Sequence, residues 1–291
     1  MTRLSRRMLL FLAALVLVVG IVGVRALRTT TTEISRAEIV DRYERAVEAV
    51  EDGEDDDVDE AESTLGANDA TGSDASSEPA TTSTTSTVPP EPAPAGVPLP
   101  TPGVYPVALR GGEQLDLATG AERTYPDEGF VTVTPVECGV DIRSDFVVER
   151  WQSLEFCETE NGIELGTERI FHSFFGLDDL AVRSCTASPV SVDATSWRCQ
   201  SETSVADRAV TTERVVRVVA GEEREVIVFT AELVEGDHPD NVELIELWVD
   251  VATGMTVQEW RTYDFVLDTP LGDAGYTEEY EWWVTSLEPI G

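Results

Sequence analysis

Two histidines, four cysteines and six tryptophans are the residues of this chain best equipped for chemistry or recognition. His172 lies in "RIFHSFFG" among alternating apolar residues. That setting makes it a strand residue with an ordinary hydrogen bond rather than a general base. His238 lies in "EGDHPDN" beside Pro239, a turn sequence, with a metal contact through Asp237, His238 and Asp240 as the alternative. Every basic residue is arginine. Without lysine there is no phosphate loop ending in Gly-Lys, no Schiff-base nucleophile and no protein-kinase lysine. Neither a G-x-S-x-G elbow nor an H-E-x-x-H zinc motif occurs. A carboxylate pair remains, as a glycosidase would use. With 56 Asp and Glu residues, composition singles out no such pair. The expectation is therefore a non-catalytic protein without a metal ion or cofactor.

Cys138, Cys157, Cys185 and Cys199 form an even set. In an exported chain that suggests two disulfides. Cys138–Cys157 and Cys185–Cys199 are preferred because each closes a short loop; the other connectivities stay open. A zinc site would want a C-x-x-C pair, which is missing.

The aromatics pose a different question. In "LWVDVATGMTVQEW" two strands flank a turn ending at Gly254. Alternation places Leu247 and Val249 on the core face, with Trp248 and Trp260 on the opposite one. Trp282 and Trp283 are adjacent, so they point to opposite faces of their strand. Tryptophans commonly fill β cores. The alternative makes Trp248, Trp260 and Trp282 candidates for a ligand surface.

These residues need a scaffold, and the chain divides into distinct parts. The opening "MTRLSRRMLLFLAALVLVVGIVGVRALR" sets Arg3, Arg6 and Arg7 before an uncharged apolar run over residues 8–24. Its length reaches the short end of a bilayer span, about 17–25 residues, and exceeds a signal-peptide core of about 7–15. We read residues 1–28 as a cytoplasmic tip and an uncleaved single-pass anchor, with a removed signal peptide as the rival. Either reading puts the remainder outside the cytoplasm, and the first makes the membrane a partner through residues 8–24. Ser35-Arg36-Ala37-Glu38 fits a capping box. Ile39, Tyr43, Ala46, Val47 and Val50 then recur at helical spacing, predicting a juxtamembrane helix over residues 33–52. That helix is expected either to pair with a second copy or to stand solvated.

Residues 53–102 are acidic and then rich in Ser, Thr, Ala and Pro, as in "TTSTTSTVPPEPAPAGVPLPTP". Such a stretch reads as a disordered linker that holds the following domain away from the membrane. Residues 103–291 are mainly β. The run "TSVADRAVTTERVVRVVAGEEREVIVFTAELVEG" holds two long strands with a turn at Gly221, and "FFGLDDLAV" has room for one helical turn. Long consecutive hairpins predict a large curved antiparallel sheet, either a half-barrel or barrel-like. A formal charge of −36 and pI of about 4.1 set the chain against nucleic acid as a partner.

The segment "WVDVATGMTVQEW" resembles the strand–Asp–x–x–Thr–Gly–strand hairpins of LolA/LppX-like half-barrel lipoprotein carriers, with Asp250, Thr253 and Gly254 in the motif. The resemblance covers about the last 90 residues and implies a curved sheet that holds acyl chains. The chain departs from it in lacking a lipobox and in its expected disulfides. The layout of anchor, Thr/Pro-rich linker and β-domain also resembles anchored exported proteins of uncharacterised function from high-GC Gram-positive bacteria. The functional expectation is an extracytoplasmic binding module for an apolar lipid or envelope-derived ligand. The alternative is a structural or interaction protein of the envelope that works through its surface.

Overall fold

The computed structural model describes residues 31–52, 97–116, 121–174, 177–187, 190–191, 193–269 and 272–290. The apolar run over residues 8–24 and most of the linker lie outside them. Among the described residues no helix is long and apolar enough to cross a membrane.

One helix, α1 (Arg36–Asp52), precedes the strands. They are β1 (Gly103–Asp116), β2 (Ala121–Thr124), β3 (Glu128–Val136), β4 (Gly139–Val147), β5 (Arg150–Thr159), β6 (Gly162–Phe174) and β7 (Leu177–Ala187). After these come β8 (Ser196–Gln200), β9 (Val205–Val219), β10 (Glu222–Gly236), β11 (Val242–Asp250), β12 (Thr256–Thr269) and β13 (Gly272–Val284). From β3 onward each strand pairs antiparallel with the next. β1 takes β3 and β2 in succession along one edge and β13 along the other, where Leu109 faces Trp282. β2 and β3 thus share one place in the wall, and the sheet closes as a 12-strand antiparallel barrel. Closure answers the choice between half-barrel and barrel. Long twisted strands coil the sheet until its edges meet, which satisfies both rows of unpaired backbone groups. The "FFGLDDLAV" segment contributes to β6 and β7 rather than a helical turn.

Turn chemistry fixes the register. Ala220 and Gly221 both take positive φ, 47° and 85°, as a tight hairpin between β9 and β10 requires. The Asp250–Gly254 turn is built by its own side chains. Thr253 N and Oγ1 donate to Asp250 Oδ2 at 3.1 and 2.6 Å, and Gly254 takes φ 70°. The Asp-x-x-Thr-Gly motif is therefore a turn-forming device here.

The barrel is solid over most of its length. Its interior is layered along the axis. At the end near Gly103 and Gly254, Val107, Val133, Val140, Ile142, Phe156, Val257 and Val284 form an apolar layer. Val97 and Leu99 pack into this end, and a Cβ at Gly254 would come within 1.7 Å of Pro98 O. Residues 97–102 therefore belong to the barrel and not to the linker, because their apolar side chains find a core to fill. The outer wall carries charge: Asp264, Glu279 and Glu281 point outward from β12 and β13, in the company of Trp260 and Trp283. Such a wall does not fit the lipid-facing belt of a membrane-spanning barrel.

Helix α1 is neither solvated nor left free for a second copy. Ser35 Oγ accepts from Glu38 N at 3.3 Å, as a capping residue should. Ile39 is fully buried against the outer wall at β1 and β3, and Arg42 pairs with the buried Asp145 of β4. At the opposite end of the barrel from Gly103, Val148 N donates to Thr32 O at 3.0 Å, and Thr32 N donates to Glu149 Oε2 at 3.0 Å. The chain thus touches the barrel both before and after the linker. The expected linker over residues 53–96 lies outside the described residues.

Candidate functional site

The wall has one weak seam. β8 is short and pairs with β7 only over Ser184–Ala187. On that side, no strand among the described residues lies beside the β7 edge from Leu177 to Arg183. Cys185 faces Cys199 at the foot of this seam and is joined to it by a disulfide. The second disulfide, Cys138–Cys157, ties the β3–β4 turn to β5 at the far end. Both pairings match the preferred connectivity. Glu155 lies beside Cys138 and Cys157, but the bonded sulfurs are not thiolates able to hold a metal.

Above the seam, at the end where Thr32 docks, lies a hollow of about 730 Å³. Its walls include Ile170, Ala181, Tyr263, Phe265 and Tyr276, and its rim carries Ser201–Ser204, Asp237, His238 and Asn241. Alternation explains the lining. Ile170 and His172 on β6, Tyr263 and Phe265 on β12, and Tyr276 on β13 all fall on inward positions.

The floor is a layer of ion pairs. Arg123, Arg150, Arg183, Arg208 and Arg261 are opposed by Glu113, Glu168, Glu243, Glu259 and Glu278, so the charges within this layer balance. Arg208 reaches Glu243 at 2.6 Å and Glu168 at 3.1 Å, and Arg261 reaches Glu243 at 2.9 Å. Burial alone would raise the Glu168 carboxyl. The guanidiniums of Arg208, Arg261 and Arg183 outweigh that and hold it at about 2. Glu259 accepts from Gln152 at 2.7 Å, Tyr280 at 2.6 Å and the Trp282 indole at 3.2 Å. These carboxylates are already engaged by cations and donors, an arrangement suited to packing rather than to hydrolysis.

Nearer the mouth, Tyr276 Oη donates to Glu113 Oε2 at 2.9 Å and lies 3.3 Å from His172 Nδ1. Burial, reinforced by the Arg150 cation, drives the His172 pKa down to about 3, so the imidazole is neutral. Burial also raises the Glu113 carboxyl, against the pull of Arg123. Tyr263 is buried, and its hydroxyl has no hydrogen-bond partner among the described residues. A buried hydroxyl without a partner costs stability. The hydroxyl is shielded from solvent, and Arg261, Glu243, Arg150 and Glu168 of the charged layer are the ionisable groups that act on it.

The sequence candidates separate. Trp248 and Trp260 lie on the outer wall, as alternation predicted. Trp248 donates to Glu246 at 2.7 Å, and the Arg217 guanidinium sits 5.3 Å from its ring. Trp282 points inward and is 1% exposed, bonded to Glu259. The three do not form one surface, and none lines the hollow. His172 is a strand residue with an ordinary partner. His238 is a turn residue whose Nδ1 accepts from Asp240 N at 3.2 Å. The sequence reading missed Tyr263, Phe265 and Tyr276. A signal was present: Glu243, Glu259, Arg261 and Glu278 share strand faces with Ile245, Val257, Tyr263 and Tyr280. Charges on an otherwise apolar face mark a polar interior.

No protein-family model, no curated protein and no solved structure matches this chain.

Proposed function

We propose that this chain is a membrane-anchored extracytoplasmic binding module whose hollow takes an amphipathic, lipid-like or envelope-derived ligand. One observation carries the reading: a hollow of about 730 Å³ is walled by Ile170, Ala181, Phe265 and Tyr263. This volume falls within the range of small-molecule pockets, roughly 300–1,000 Å³. The ion-pair floor limits depth, so a guest would place an apolar body against Ile170 and Phe265 and a polar group at the rim of Ser201, Ser204, Asp237 and Asn241. Native mass spectrometry of the full chain, extracted from membranes, tests this. A co-purifying lipid-sized mass that disappears in Ala181→Trp, which fills the hollow, supports the proposal. A clean mass in the wild-type chain counts against it.

A second reading, an interaction protein of the envelope, draws on the β9–β10 hairpin. Val216 and Val218 on that hairpin are 61% and 69% exposed. Exposed apolar residues at such a tip suit a protein contact. This reading fits a clean mass.

A further inference from the structure

We infer that the mouth of the barrel faces the bilayer, and that the outer wall of β5–β7 beside it is the surface that meets lipid. The inference rests on the anchored reading of residues 8–24 and deepens it. Three outward residues stand directly opposite one another across three strands: Trp151 on β5, Phe171 on β6 and Leu180 on β7. The Trp151 and Phe171 rings stack at 5.4 Å between centroids. Val182 lies one outward position further along β7, and Val148 lies in the β4–β5 turn at the rim. Leu180 is 51% exposed, Val182 47% and Val148 41%. On β12 and β13 the outer wall instead mixes the acids Asp264, Glu279 and Glu281 with Trp260 and Trp283.

Its place in the chain identifies the occupant. Val148 donates its backbone N–H to Thr32, so the patch begins where the chain arrives from residues 8–24. Thr32 follows Val24 by eight residues. At about 3.3–3.6 Å per residue the connection spans at most about 30 Å. Thr32 is fixed to the mouth rim, so the connection from residues 8–24 enters at the mouth and not at the far, apolar-packed end. Aromatic and aliphatic side chains are the residues that settle in the interfacial zone of a bilayer. The unpaired β7 edge carries Leu180 and Val182 and also borders the hollow, so a lipid-derived guest would have a lateral route from the bilayer.

The test is fluorescence quenching of the full chain in nanodiscs of phosphatidylcholine brominated on its acyl chains. Flotation with vesicles of the same lipid is measured in parallel. The expected result is tryptophan quenching that falls by more than half in Trp151→Phe and in the double variant Leu180→Asp/Val182→Asp. Trp283→Phe, on the outer wall of β13 at the far end, should leave the quenched fraction unchanged. A chain that floats while Trp151→Phe leaves its quenching intact overturns the orientation and spares the anchor. A chain that does not float overturns both. Near-ultraviolet circular dichroism equal to wild type shows that each variant has folded.

Discussion

Arg150 on β5 and Glu278 on β13 meet across the inside of the barrel through paired hydrogen bonds of 2.9 Å, with both side chains fully shielded from water. The two strands are remote in the meander, so this contact exists only because the sheet has closed. Removing one member strands the other charge. Arg150→Met should destabilise the fold by about 3–5 kcal/mol, and Arg150→Met/Glu278→Leu should recover much of the loss. Arg214→Ala, at an exposed pair with Glu225, should leave the midpoint unmoved. Urea denaturation followed by tryptophan emission decides.

His172 should make stability depend on pH. Its folded pKa is about 3, below the unfolded value of about 6.5. The unfolded state therefore binds the proton first, and stability falls as pH drops below about 6.5 toward the folded value. Between pH 7.5 and pH 5 this one group should cost about 2 kcal/mol. The wild-type chain minus His172→Asn, measured at both pH values, isolates the effect. No difference would mean the imidazole is charged in the folded state.

Tyr263 separates stability from binding. Its hydroxyl is buried without a partner, so Tyr263→Phe should be neutral or stabilise by up to about 1 kcal/mol. The same change should leave occupancy by a lipid-like guest unchanged, because a hydroxyl shielded from solvent offers a guest no contact. Denaturation and native mass spectrometry on one preparation give both readouts. A stability loss instead would show that the hydroxyl has a partner inside the fold.

The Cys185–Cys199 bond closes the seam between β7 and β8. Replacing both cysteines by alanine should cost about 3 kcal/mol from loop entropy. The local consequence is sharper. Amide exchange over residues 177–187 should accelerate far more than over β12, because β7 has little other pairing on that side. Equal acceleration in both strands would mean the seam is not a local weak point.

Some features were local and therefore legible. The hairpin turn at Gly221 and the turn at Asp250–Gly254 follow from φ requirements and short side-chain bonds. The capping of α1 by Ser35 is equally local. The faces of Trp248 and Trp260 follow from a period of two. Both disulfides join residues close in sequence, so short-loop reasoning reached them. Other features depended on closure. Trp282 could not be placed beside or apart from Trp248 until β13 had a known inner side. The docking of α1 through Ile39 and Arg42, and the inclusion of residues 97–102, depend on a wall and a core that exist only once distant strands have met.

The sequence by itself determined the β-rich domain, its strand alternation and the apolar run over residues 8–24, because each is written in neighbouring residues, and it gave a preference among the cysteine pairings that the structure then decided. Only the tertiary structure decided that the sheet closes, that Arg150 finds Glu278, and that Tyr263, Phe265 and Tyr276 face one hollow. Those outcomes depend on contacts between strands far apart in the chain, and no local pattern specifies which buried charge will meet which.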